Sequence, residues 1–246
     1  SKDTQVQFSS ILFSELTSNI TLNAAVNYRS LKSENYAQVR DLLGSNGFLD
    51  IDTFANSESG DGVGDLQSNI AQSDVRNPNR IVGVGDRYKY NFDVNADVMS
   101  GFAQAQFKYS KVDFYLAASL GATNYQRNGL YENGNYQGGN SSFGESEALS
   151  FSTLGFKGGA VYKLTGRHLI DVNAGYLTKA PSIRNSFSNS RQNNNVVEGL
   201  IEEKIQNLDV SYIFRSPILK ARVTGFYNAM QDQTDINFFF TESIQN

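Results

Sequence analysis

The stretch LKARVTGFYNAM, residues 219 to 230, places Leu219, Ala221, Val223, Gly225, Tyr227 and Ala229 on one side of an extended chain. Lys220, Arg222, Thr224 and Asn228 fall on the other, and Phe226 breaks the division. Strand side chains alternate between faces with period 2, so one face of this segment is apolar and the other suits water. The fold turns on what the apolar face touches, a protein core or lipid.

The same alternation returns along the chain. NITLNAAVNYR sets Ile20, Leu22, Ala24, Val26 and Tyr28 against Thr21, Asn23, Asn27 and Arg29. SGFAQAQFKY and VDFYLAASLGATNY repeat the pattern with Ala103, Ala105 and Phe107, then with Val112, Phe114, Leu116, Ala118 and Leu120. TLGFKGGAVYKL, HLIDVNAGYLTK and KIQNLDVSYIF continue it. With the weaker DTQVQFSSILF at the start and INFFFTE near the end, the period-2 rule predicts about nine strands.

Composition narrows the alternatives. Of 246 residues, 19% are charged and 39% hydrophobic, and the formal net charge of −4 carries no basic stripe, which argues against a nucleic-acid partner. Without cysteine there is no disulfide framework and no thiolate metal site. No run approaches the roughly 18 consecutive apolar residues of a membrane-crossing helix, an absence that leaves a transmembrane barrel open.

Connection lengths alternate as well. Short gaps fall at 15–18, 110–111, 165–167 and 216–218, and long polar ones at about 30–97, 126–146 and 180–201. Tight turns at one rim and long loops at the other are the pattern of an outer-membrane barrel. The apolar faces are rich in Ala and Gly, adequate against fluid lipid and poor for a close-packed core. Aromatic residues near strand ends, among them Tyr28, Tyr109, Phe114, Tyr162, Tyr176, Tyr212 and Phe214, suit interfacial girdles. The expected fold is an all-β antiparallel transmembrane barrel, with a soluble β-sandwich as the alternative.

The long loops supply the candidate site. ENYAQVRDLLG, ending at Gly44, and DLQSNIAQSDVRNP, closed by Pro78, predict two short helices in the longest loop. YENGNYQGGNSSFG and PSIRNSFSNSRQNNN mix aromatic faces with amides and guanidinium groups, which suits sugars or polar chelates. Tyr131, Tyr136, Arg184, Asn185 and Arg191 are the candidate ligand-binding residues. His168 is the only histidine, the serines lack a nucleophile context, and SGDGVGD at 59–65 with Asp50 and Asp52 fits neither a phosphate loop nor a calcium loop. No enzyme, cofactor or metal site is expected.

NPNRIVGVGDRYKYNFD, NGLYENGNY, HLIDVNAGYLTKAPSIRNSF and RSPILKARVTGFYNAMQDQTD resemble segments of the barrel of TonB-dependent outer-membrane receptors. The likeness is to the type with an upstream carboxypeptidase-like regulatory domain. It spans the chain from about residue 20 onward, most specifically His168 to Gln233. It implies a barrel of 22 strands around a plug, uptake of a metal chelate, cobalamin or glycan, energy passed through TonB, and outer-membrane lipid as surroundings. The chain carries no plug-like segment or TonB-contacting box and ends TESIQN without a terminal aromatic residue. Residues 1–246 are therefore expected to form a single partial barrel domain, an open segment of the larger barrel.

Overall fold

The computed structural model describes residues 1–52 and 69–237. Eleven strands are present among them: β1 (Lys2–Thr17), β2 (Ile20–Gln38), β3 (Phe48–Leu49), β4 (Ile81–Val82), β5 (Arg87–Lys108), β6 (Val112–Gly129), β7 (Gly144–Glu145), β8 (Leu149–Lys163), β9 (His168–Lys179), β10 (Glu203–Arg215) and β11 (Lys220–Gln231). Nine form one antiparallel sheet in the order β1-β2-β5-β6-β8-β9-β10-β11, with β7 on β6; β3 and β4 make a separate small pair. The sheet is open, with β1 and β11 as its edges.

Register carries the apolar pattern from strand to strand. One row of directly paired residues runs Ile20, Phe107, Phe114, Ala160, Val172, Val210 and Gly225. The neighbouring row runs Thr21, Gln106, Tyr115, Gly159, Asn173, Asp209 and Phe226. Because a one-residue slip would exchange the faces, this alignment is specified by every strand at once. The apolar face remains bare: Leu116, Leu120 and Val223 are 61%, 70% and 71% exposed.

The two faces differ in crowding. On the polar face a Cβ at Gly159 would lie 2.5 Å from the Tyr115 ring, and one at Gly175 would lie 2.5 Å from Asn207 Oδ1. On the apolar face Gly225 has nothing within 4 Å. Side chains converging on one side and diverging on the other suit a sheet curved towards its polar face.

The strands outrun their apolar segments. On β6 the apolar positions extend from Val112 to Ala122 and give way to Asn124, Gln126 and Asn128. On β2 and β5 pairing continues through Ser30↔Asp97, Lys32↔Asn95 and Glu34↔Asp93. The first helix expected in the long loop is therefore absent: Glu34–Gln38 is strand, because pairing to β5 satisfies its backbone while alternate residues pack sideways. Of the second, residues 69–78 are described and are helical only in the 3-10 turn Asn69–Ala71, while 65–68 lie outside the described residues; Ile183–Asn185 forms another such turn. The long connections narrow to 39–86, 130–143 and 180–202. Of INFFFTE, only Ile236 and Asn237 are described, neither in a strand.

Gly159 and Gly225 test the assignment of faces. Gly159→Val should destabilise by about 1–3 kcal/mol through overpacking, whereas Gly225→Val should leave stability unchanged or raise it. Denaturant midpoints followed by far-ultraviolet circular dichroism read both.

Candidate functional site

The buried residues gather at the loop end of the polar face. Ala96, Tyr125, Phe151 and Phe187 form a core, with Leu31, Leu149, Ala180, Ile183, Val196 and Leu200 packed against it. Strands β5, β6 and β8 supply the floor and the 180–202 loop the cover. Phe187, 1% exposed, is the plugging residue. The Tyr125 hydroxyl lies 2.5 Å from Ser186 Oγ and donates to the Pro181 carbonyl at 3.3 Å, and its ring stacks on Phe151. Burial pushes its phenol above the ordinary range.

Beside this core stands Arg127, 2% exposed. Its guanidinium donates to the Ser142 carbonyl at 3.0 Å, the Ser190 carbonyl at 2.7 Å and Asn194 Oδ1, and lies 4.9 Å over the Phe92 ring. No carboxylate touches it among the described residues. Desolvation pulls its pKa down to about 10, so it stays cationic at neutral pH. Neutral oxygens and one ring face thus balance a buried charge, and the arrangement fastens two loops to β6. Gly129 permits the approach, since a Cβ there would lie 1.7 Å from the Ser142 carbonyl oxygen.

The third loop is fastened differently. Asp50 accepts from Arg80 at 2.5 Å and from the Lys89 backbone N–H at 2.8 Å. Lys89 holds φ +62°, where β5 bulges against β2, and the carboxylate stabilises that bulge. Arg87 closes the same junction through Glu34 at 2.7 Å and the Tyr36 ring at 3.9 Å. Backbone bonds from Val75 to Glu132 and from Gly134 to Gln72 join this loop to the 130–143 loop, and Gln192 reaches Asp52 at 2.8 Å.

The sequence candidates occupy this layer in different capacities. Tyr131 is committed internally, accepting from Arg80 at 2.8 Å and donating to the Arg87 carbonyl at 3.0 Å; burial raises its pKa. Asn185 follows the Ser182 cap and donates to the Thr234 carbonyl at 2.7 Å. Tyr136 is half-buried in a turn whose carbonyl accepts from Ser142, and its hydroxyl has no partner among the described residues. Arg184 is exposed and unpaired there, and Arg191 is exposed with its guanidinium 5.2 Å over the Tyr90 ring. No bond or ring contact joins any two of the five. Tyr136, Arg184 and Arg191 keep polar groups available to a ligand, while Tyr131 and Asn185 shape the loops.

Arg127, Asp50 and Arg80 escaped sequence reasoning. Their local context is ordinary, and only pairing register brings Arg127 beneath Ser190 and Asn194, 63 and 67 residues away in sequence. A second polar cluster lies on the same face nearer the short turns: Tyr115 donates to Asn173, which donates to Asp171 and Asp209, while Arg222 pairs with Asp171 and Lys163 with Asp113.

No protein-family model matches the chain, and no curated protein matches it.

Arg127→Met should leave three acceptors buried without donors and lower the local opening free energy by about 2–3 kcal/mol. Hydrogen exchange should speed up selectively in 130–146 and 180–202, with β9 and β10 keeping their protection.

Proposed function

We propose that the chain is part of the wall of a TonB-dependent outer-membrane receptor that takes up a scarce nutrient, whether a metal chelate, cobalamin or a glycan. The observation that carries this reading is the bare apolar face. From Val112 to Ala122 it runs about 33 Å along β6 at about 3.3 Å per residue. Tilted by about 40°, that is a band about 25 Å tall, the height of the lipid-facing belt of such barrels. Phe107, Phe114, Tyr162, Tyr212 and Phe214 mark its turn-end margin, and Tyr28, bonded to Asp97 at 2.9 Å, its loop-end margin. A soluble sandwich needs a second layer over this face, and none lies there among the described residues.

In this reading β1 and β11 pair with further strands of a closed barrel, 22 in the receptors the sequence resembles. An unpaired edge in hydrocarbon costs several kcal/mol per backbone group, so closure is obligatory. The polar face lines the passage, and the loop layer held by Arg127 and Asp50 lies outside the cell over its mouth. Tyr136, Arg184 and Arg191 are the groups through which that layer would meet cargo. The plug and TonB are partners of the complete receptor, and the wall itself makes and breaks no bonds.

The absence of cysteine permits a direct test. Single cysteines at Leu116, Ala118 and Leu120, labelled with a fluorophore in reconstituted protein, should be quenched strongly by brominated lipid, and those at Ala117, Ser119 and Gly121 weakly. Equal quenching at odd and even positions would reject the reading. Leu120→Arg should cost about 2–4 kcal/mol in lipid. Alanine at Tyr136, Arg184 and Arg191 together should reduce nutrient uptake by the complete receptor without lowering its abundance; unchanged uptake removes them from the site.

A further inference from the structure

We propose that the polar face at its turn end is a docking surface for an acidic, extended polypeptide segment. Lys108, Arg215 and Lys220 lie in strands, paired as Lys108↔Asp113 and Arg215↔Lys220, and their register places them on the polar face. Lys111 and Arg167 stand in the adjoining turns, where their carbonyls accept from the Lys163 and Arg215 backbones. All five side chains are exposed, and none has a hydrogen bond or ion pair among the described residues.

The local acids do not neutralise them. Asp113 faces Lys108 in register but binds Lys163 at 2.7 Å, Asp171 pairs with Arg222, and Asp209 accepts from Asn173 at 3.2 Å. Glu15 stands apart on the edge strand β1. The chain is acidic overall, so five cations without an ion pair among the described residues concentrate positive potential at one end against the net charge of −4.

Geometry selects the partner. From Lys108 on β5 to Lys220 on β11 the sheet path makes five strand steps, about 24 Å at about 4.8 Å each. A single phosphate or carboxylate ligand reaches two of these groups at most, whereas about seven residues of extended chain span the whole row. Lipid headgroups are disfavoured because these strand cations face away from the side bearing Tyr162, Tyr212 and Phe214. Backbone flexibility in an acidic segment would let its carboxylates meet amines and guanidiniums in turn, giving affinity that falls with salt. This inference rests on the charge layout and not on the membrane reading.

The test uses the full chain in neutral detergent micelles and a fluorescein-labelled peptide of alternating Glu and Ser, with alternating Gln and Ser as control. Anisotropy should show binding of the Glu peptide only, weakened about tenfold or more when salt rises from about 50 to about 300 mM. The combined variant K111E/R167E/R215E/K220E should abolish it, while K32Q at the loop end should not. Circular dichroism verifies the fold; if the combined variant fails to fold, the turn variants K111E and R167E should each weaken binding severalfold. Equal binding of the two peptides, or unchanged binding by the folded variants, overturns the proposal. So does binding to phosphatidylglycerol vesicles without any to the Glu peptide, which would make lipid the partner.

Discussion

Register is the constraint on which the structure rests. A strand's backbone hydrogen bonds are indifferent to which side chains face which way, and alternation makes them matter because one slipped residue would exchange an entire face. Here Phe107 meets Ile20 on one side and Phe114 on the other, and the two Phe rings stack with centroids 4.5 Å apart. Each pair reinforces the phase of the next, so that Val172 and Val210 continue a row begun on β2. The separation of polar from apolar surface is a property of the sheet before any loop is placed on it.

The loops then occupy the side that register leaves polar, beyond the apolar band. They do so through a small set of buried, multiply bonded side chains. Arg127 holds two loops by donating to their oxygens, and Asp50 holds the third by accepting from Arg80 and the bulged backbone at Lys89. Burying a guanidinium without a carboxylate is costly unless its donors are satisfied. The apolar residues around it, Tyr125, Phe151 and Phe187, exclude water and give those bonds their weight. Candidate recognition groups such as Arg191 and Tyr136 therefore sit on a braced surface.

Much of the sheet was legible because its signal is local. Leu116, Ala118 and Leu120 announce a face within five residues, and the turns at Gly166 and Pro217 punctuate the strands. What escaped was set by distance. ENYAQ reads as helix in isolation and is strand because β5 lies beside it. Tyr131 carries no local sign that Arg80 and the Arg87 carbonyl hold its hydroxyl. Arg127 carries no local mark of burial, since its partners come from loops with no periodic pattern. The alternation that identifies a strand's face falls silent once polar residues enter the formerly apolar side, as at Lys32, Glu34, Asn124 and Gln126.

The connectivity of the sheet has a kinetic consequence. Apart from the β2 to β5 join, the long strands pair in chain order through turns or loops of moderate length, so a growing sheet can add them hairpin by hairpin. Bridging Val39 to Asp86 carries a closure entropy about 2 kcal/mol greater than that of a four-residue turn. Yet β2 and β5 also share the longest ladder, from Ile20↔Phe107 to Gln38↔Arg87. The β1–β2 hairpin is thus expected to dock late onto a preassembled β5–β11 unit, and its long zipper of contacts makes that last joining hard to undo.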